Sequence, residues 1–159
     1  MSDAPQTGLS EKNYSYDDVP YPSHPYEATH PDHIYSLARL FKFEAAFPDN
    51  ATILELGCAS GGNLIPVAVQ IPTAKFVGVD LSTKQIDEGK ATIAKLGLKN
   101  IQLLAQNFEN IDSSFGQFDY ILCHGVFSWV PPSAQHKIFE VCRDRLTPNG
   151  IAYISYNAW

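Results

Sequence analysis

The chain has 159 residues, 45% of them hydrophobic, which suits one ordinary domain with its own core and excludes a chain disordered throughout. Eleven basic residues against seventeen acidic ones leave a formal charge of −6, and Arg39, Arg143 and Arg145 are its arginines, so nucleic acid is disfavoured as a partner. The three cysteines, Cys58, Cys123 and Cys142, are odd in number and form no C-x-x-C pair, which argues against a disulfide framework and for a reducing, cytoplasmic setting.

Residues 1–13 are polar and short of apolar anchors, and are expected to form a mobile tail. They lack the basic-then-apolar order of a signal peptide, and no apolar run reaches the ~18 residues of a membrane span, so no membrane association is expected. Residues 14–47 form an aromatic arm and a first helix. In the arm, Tyr14, Tyr16, Tyr21 and Tyr26 alternate with Pro20, Pro22, Pro25 and Pro31, too many prolines for a regular helix. The tyrosines either cover a ligand or patch the core. Thr29 is positioned to cap a helix with Pro31 in its first turn, and Ile34, Leu37, Leu40 and Phe41 fall on one face of it.

Residues 48–159 then alternate strand and helix. Strands are expected at 52–56, 75–79, 101–105, 120–123 and 151–155. Helices follow the loop 57–62, the capping pair Ser82 and Gln85, and the prolines Pro131 and Pro132; residues 147–150 read as a turn. This pattern predicts an α/β fold, a doubly wound parallel sheet of Rossmann-like type in the order 3-2-1-4-5. Ligands of such sheets sit at the carboxyl ends of the strands.

The chemistry-bearing residues lie at those ends. Glu55-Leu56-Gly57-Cys58-Ala59-Ser60-Gly61-Gly62-Asn63 is a strand end, a small-residue loop and a helix start, where backbone amides can approach a ligand. Asp80 and Leu81 follow the second strand; a carboxylate there can accept both hydroxyls of a ribose, or it can serve a turn. Asn107 and Phe108 follow the third strand as a polar side chain with an apolar neighbour, or as a simple turn. His124 follows the fourth and fits three roles: proton acceptor, hydrogen-bond donor to a ligand, or plain loop residue. Phe127 and Trp129 either wall an acceptor pocket or pack on the next helix. His24, His30 and His33 lack a matched cysteine or acidic set, so no metal site is read there.

The loop resembles the first motif of class I S-adenosylmethionine (SAM)-dependent methyltransferases, [D/E]-x-G-x-G-x-G, with Glu55, Gly57 and Gly61 matching and Ala59 in place of the middle glycine. Gly57-x-Ala59-x-x-Gly62 with Asp80 also partly fits a nicotinamide-dinucleotide fingerprint, but Glu55 is unwelcome beside a diphosphate and welcome beside the cationic amino group of SAM. The arm Tyr21-Pro22…Thr29-His30-Pro31-Asp32, the loop 54–63, the stretch 124–131 and the closing residues 155–159 together resemble bacterial methyltransferases that carry a methyltransferase regulatory domain, a group that includes some protein-lysine methyltransferases. The resemblance implies SAM as cofactor, held by Glu55, Gly57, Cys58, Ala59, Gly61, Asn63, Asp80, Leu81, Asn107, Phe108, His124, Tyr21 and Tyr26, with His124 as the catalytic candidate. It implies methyl transfer to an unidentified acceptor, a protein lysine amine among the options. The alternatives are a SAM-binding module that is inactive alone and, behind it, a dinucleotide-dependent oxidoreductase. A complete class I sheet has seven strands and this sequence supplies five, so a truncated sheet and self-association through an exposed fifth strand are expected.

Overall fold

The structure is a computed structural model that describes residues 23–158; the expected tail, together with Tyr14, Tyr16 and Tyr21, lies outside the described residues. Five strands form one sheet: β1 (Thr52–Leu56), β2 (Lys75–Asp80), β3 (Ile101–Ala105), β4 (Phe118–Cys123) and β5 (Leu146–Ile154). Their order is β3-β2-β1-β4-β5 and every pairing is parallel, as expected. Strands buried on both faces read as nearly continuous apolar runs, and β1 and β4 do apart from Glu55 and Asp119.

The two faces of the sheet carry separate cores. Ile53, Phe76, Leu103 and Leu122 pack with Ile34 of α1 (Pro31–Leu40), Leu64 and Ala68 of α2 (Leu64–Gln70), and Ile86 of α3 (Thr83–Leu96). Leu54, Val79 and Ile121 pack on the other face with Ile138 and Val141 of α4 (Pro132–Arg145). The β3-to-β4 crossover holds only 3₁₀ turns, Phe108–Asn110 and Ser113–Phe115. Ser82 caps α3 by accepting from the Gln85 amide, and Gly97 ends it at φ 67°. Among the described residues no helix is long and apolar enough to cross a membrane.

Three local expectations are corrected. The N-cap of α1 is His30, whose Nδ1 accepts from the Asp32 amide; Thr29 is turned inward and used elsewhere. The α1 stripe is not a core face throughout: Ile34 and Ala38 are buried, whereas Leu37, Leu40 and Phe41 are exposed. Leu37 and Phe41 face past the sheet edge and line, with Phe43, Ile151 and Tyr153, an apolar concavity of about 520 Å³. Residues 147–150 are not a turn before the last strand but a bulge within it. Phe118 pairs with Leu146 and Tyr120 already with Ile151, so five residues of β5 stand against two steps of β4. Pro148 has no amide proton for a ladder, which favours the excursion. Asp119 secures it by accepting from Thr147 Oγ1 while its other oxygen accepts from the amide and hydroxyl of Thr52.

Candidate cofactor site

The loop after β1 is bent onto the end of β2 because the amides of Gly57 and Cys58 both donate to the Val79 carbonyl, at 2.8 and 3.0 Å. Gly57 and Gly61 have φ of 75° and 77°, and Ala59 between them has φ 50°. The left-handed region is one that only glycine enters freely. Ala59 is therefore held where the motif usually places glycine. A side chain on Gly57 would also collide with Val126 of the loop after β4, so the absence of a Cβ there is required twice over.

Asp80 pins this loop. Its Oδ2 accepts from the Ala59 amide at 2.8 Å and its Oδ1 from the Ser82 amide at 2.9 Å. A carboxylate oxygen has two lone pairs, so both oxygens retain capacity for a further donor. Leu81 beside it is half-exposed and presents an apolar surface at the strand end.

Glu55 is the unusual residue. It is 3% exposed; Oε1 accepts from Asn63 Nδ2 at 2.8 Å, and Oε2 is buried without a partner. Burial pushes its carboxyl up to about 7; the Asn63 hydrogen bond opposes this and the nearby Asp80 charge adds to it. A buried polar oxygen left unmatched is costly, so a water, an ion or a ligand group has to meet it. A cationic amine meets that demand. A diphosphate beside Glu55 and Asp80 would not. Cys58 is also buried, its thiol held protonated chiefly by burial, with Glu55 and Asp80 adding.

The chain before α1 crosses over this loop. A Cβ on Gly62 would strike the Ser23 carbonyl, so the two backbones touch there. Asn63 Oδ1 accepts from the Tyr26 amide at 3.0 Å, and the Thr29 hydroxyl is shared between Asn63 Oδ1 at 3.1 Å and the Tyr26 carbonyl at 2.8 Å. The Tyr26 ring then lies against His124, centroids 3.8 Å apart, with Tyr153 6.1 Å from His124 on the β5 side. His124 Nδ1 is buried and has no partner, and burial lowers the imidazole pKa, which favours the neutral ring. Thr29 and Ser23 had no signal in the sequence as site residues. Their partners lie far along the chain, and a threonine before a helix reads as a cap.

Not every expected residue joins this cluster. Asn107 is occupied within its own turn: Oδ1 accepts from the Glu109 amide and Nδ2 donates to the Glu109 carboxylate, both at 2.9 Å. Phe108 is buried in the α4-side core. Phe127 packs edge-on against Phe139 of α4 at 5.4 Å, and Trp129 is exposed. The loop that carries both is anchored by Gln135, which donates to the Phe127 and Val130 carbonyls. His30 serves α1, and among the described residues no group of three histidine, cysteine or acidic side chains could hold a metal.

Comparison with known proteins agrees with this geometry. Residues 53–150 match a family described as "Methyltransferase domain". An uncharacterized protein of Rickettsia prowazekii is 56% identical over 151 residues, covering 95% of this chain and 27% of the relative. A second protein of that organism is 46% identical over 90% of this chain and 57% of its own length. PKMT2 from Rickettsia typhi, solved in complex with AdoHcy, superposes with a TM-score of 0.84 at 42% identity, over 87% of this chain and 26% of PKMT2. The chain thus spans between about a quarter and about three-fifths of the length of these relatives. With the motif loop, the strand order and the orphaned acid in place, the chain belongs to the methyltransferase domain family, among the class I SAM-dependent methyltransferases.

Proposed function

We propose that this chain is the SAM-binding part of a methyltransferase whose acceptor is an amine, a protein lysine being one of the acceptors that the family resemblance allows. The observation that carries the reading is Glu55, a buried carboxylate with one oxygen unmatched at the mouth of a loop of small residues. In this reading Glu55 holds the cofactor's amino group. The loop residues Gly57, Cys58, Ala59 and Gly61 pass beneath it, and Asp80 takes the ribose hydroxyls. Leu81 and the segment at Asn107 and Phe108 border the adenine. The AdoHcy bound to PKMT2 supports the same ligand class here.

When bound, SAM supplies a methyl group already activated by the positive sulfur. What falls to the protein is positioning and exclusion of water. The Tyr26 ring and His124 close the end of the site between the arm and β4. A lysine acceptor arrives protonated and can attack only as the neutral amine. In this reading His124, whose Nδ1 has no other partner, would accept that proton.

Calorimetric titration with AdoHcy, SAM and NAD in parallel tests the reading. Binding of AdoHcy and SAM without binding of NAD is expected, followed by transfer of labelled methyl to lysine-containing protein but not to the same protein with its lysines acetylated. Binding of NAD alone would overturn the assignment. Transfer that survives acetylation would overturn the amine acceptor.

A further inference from the structure

Asn63 links the cofactor loop to the segment before α1. Its Nδ2 donates to Glu55 Oε1, at the end of the loop where the SAM reading puts the cofactor's amino group. Its Oδ1 accepts from the Tyr26 amide and lies 3.1 Å from Thr29 Oγ1, whose one proton it shares with the Tyr26 carbonyl at 2.8 Å, in the segment whose Tyr26 ring covers His124. The amide orientation is settled by these partners, since reversing it would aim the NH2 group at the Tyr26 amide and the oxygen at the Glu55 carboxylate. Thr29, Asn63 and Glu55 are 2%, 4% and 3% exposed, so water cannot replace a lost bond.

We propose that Asn63 and Thr29 are positioning residues, a polar tie through which a cation held by Glu55 fixes residues 26–29 over the cofactor loop. The proposal rests on the SAM reading above. Its physical basis is the chain of hydrogen bonds. A cation on Oε2 keeps Glu55 ionised, and an ionised carboxylate draws a stronger hydrogen bond from Asn63 than a protonated one. Polarisation of the amide then strengthens what Oδ1 accepts from Tyr26 and Thr29. The carboxyl raised by burial is what makes the ionisation state depend on an occupant. By linkage, whatever order the cofactor adds to the segment, the segment returns as cofactor affinity.

The variants follow from the geometry. Thr29→Val keeps the shape and removes one donor, and Thr29→Ser restores it. Asn63→Asp keeps the acceptors for Tyr26 and Thr29 but sets a second carboxylate against Glu55. Two measurements are made on each: AdoHcy affinity by calorimetry, and hydrogen exchange at the Tyr26 amide with and without AdoHcy. In the wild type, AdoHcy should slow Tyr26 exchange. Thr29→Val should weaken AdoHcy about three- to tenfold, the scale of one buried hydrogen bond, and lose most of that protection, while Thr29→Ser recovers both. Asn63→Asp should lose more than Thr29→Val. If Asn63→Asp does not fold, the valine and serine pair decides. Wild-type affinity in Thr29→Val, or Tyr26 exchange indifferent to AdoHcy, would overturn the tie and leave the SAM reading standing. A wild type that does not bind AdoHcy would overturn the SAM reading, and the tie with it.

Discussion

Asp80 accepts the backbone amide of Ala59 at 2.8 Å, and Ala59 is held at φ 50° by that bond and its neighbours. One carboxylate at the end of β2 thus shapes the loop at the end of β1 while keeping lone pairs for a ligand. The two duties can be separated. Asp80→Ala should weaken AdoHcy by at least fivefold, ~1 kcal/mol, the scale of a hydrogen bond to a charged group. Adenosine should lose affinity in the variant far more than 2′,3′-dideoxyadenosine does, because only the former offers ribose hydroxyls. Equal losses for both nucleosides by calorimetry would confine Asp80 to shaping the loop.

Ala59 itself is under backbone strain. A left-handed non-glycine residue costs about 1–2 kcal/mol, and glycine gives back about 0.4–1 kcal/mol of unfolded-chain entropy, so Ala59→Gly should stabilise by up to ~1 kcal/mol. The urea midpoint should rise while the slope is unchanged. A fall in the midpoint would mean that the alanine methyl makes contacts worth more than the strain.

Glu55 makes stability depend on pH. Its carboxyl is raised from 4.5 to about 7, first by burial and then by Asp80, against the Asn63 hydrogen bond. The folded protein therefore binds a proton more tightly than the unfolded chain. The resulting stability is fully present below about 4.5 and is lost as pH rises through about 7, on the order of 3 kcal/mol in all. The ligand-free protein should melt at a lower temperature at pH 8 than at pH 5, and Glu55→Gln should flatten that difference. Binding of AdoHcy near pH 7 should release a proton, visible as a dependence of calorimetric heat on the buffer's ionisation enthalpy. A heat independent of buffer would show that Glu55 does not meet the ligand's amine.

The edge of β5 invites pairing. Among the described residues β5 pairs only with β4, and Ile151, Ala152 and Tyr153 carry no charge to deter a second chain. The 159-residue chain should self-associate in light scattering, and Ala152→Lys should shift it toward the monomer. A monodisperse monomer at tens of micromolar would exclude this edge as an interface.

The alternation of apolar runs with capped helices determined the five strands, their parallel order and the placement of Glu55, the glycine loop, Asp80 and His124 at strand ends. Those are local features: periodicity, turn residues and the handedness of crossovers act over short stretches of chain. Only the tertiary structure decided that Thr29 and the Tyr26 amide meet Asn63 across 34 and 37 residues. It alone showed that Asn107 is occupied by Glu109 and that Phe108 belongs to the core. It also left Leu37, Leu40 and Phe41 of the α1 stripe exposed. A polar side chain's partner is set by what the fold brings beside it, and an apolar stripe is core only where another layer covers it; neither condition is written in the spacing of the residues themselves.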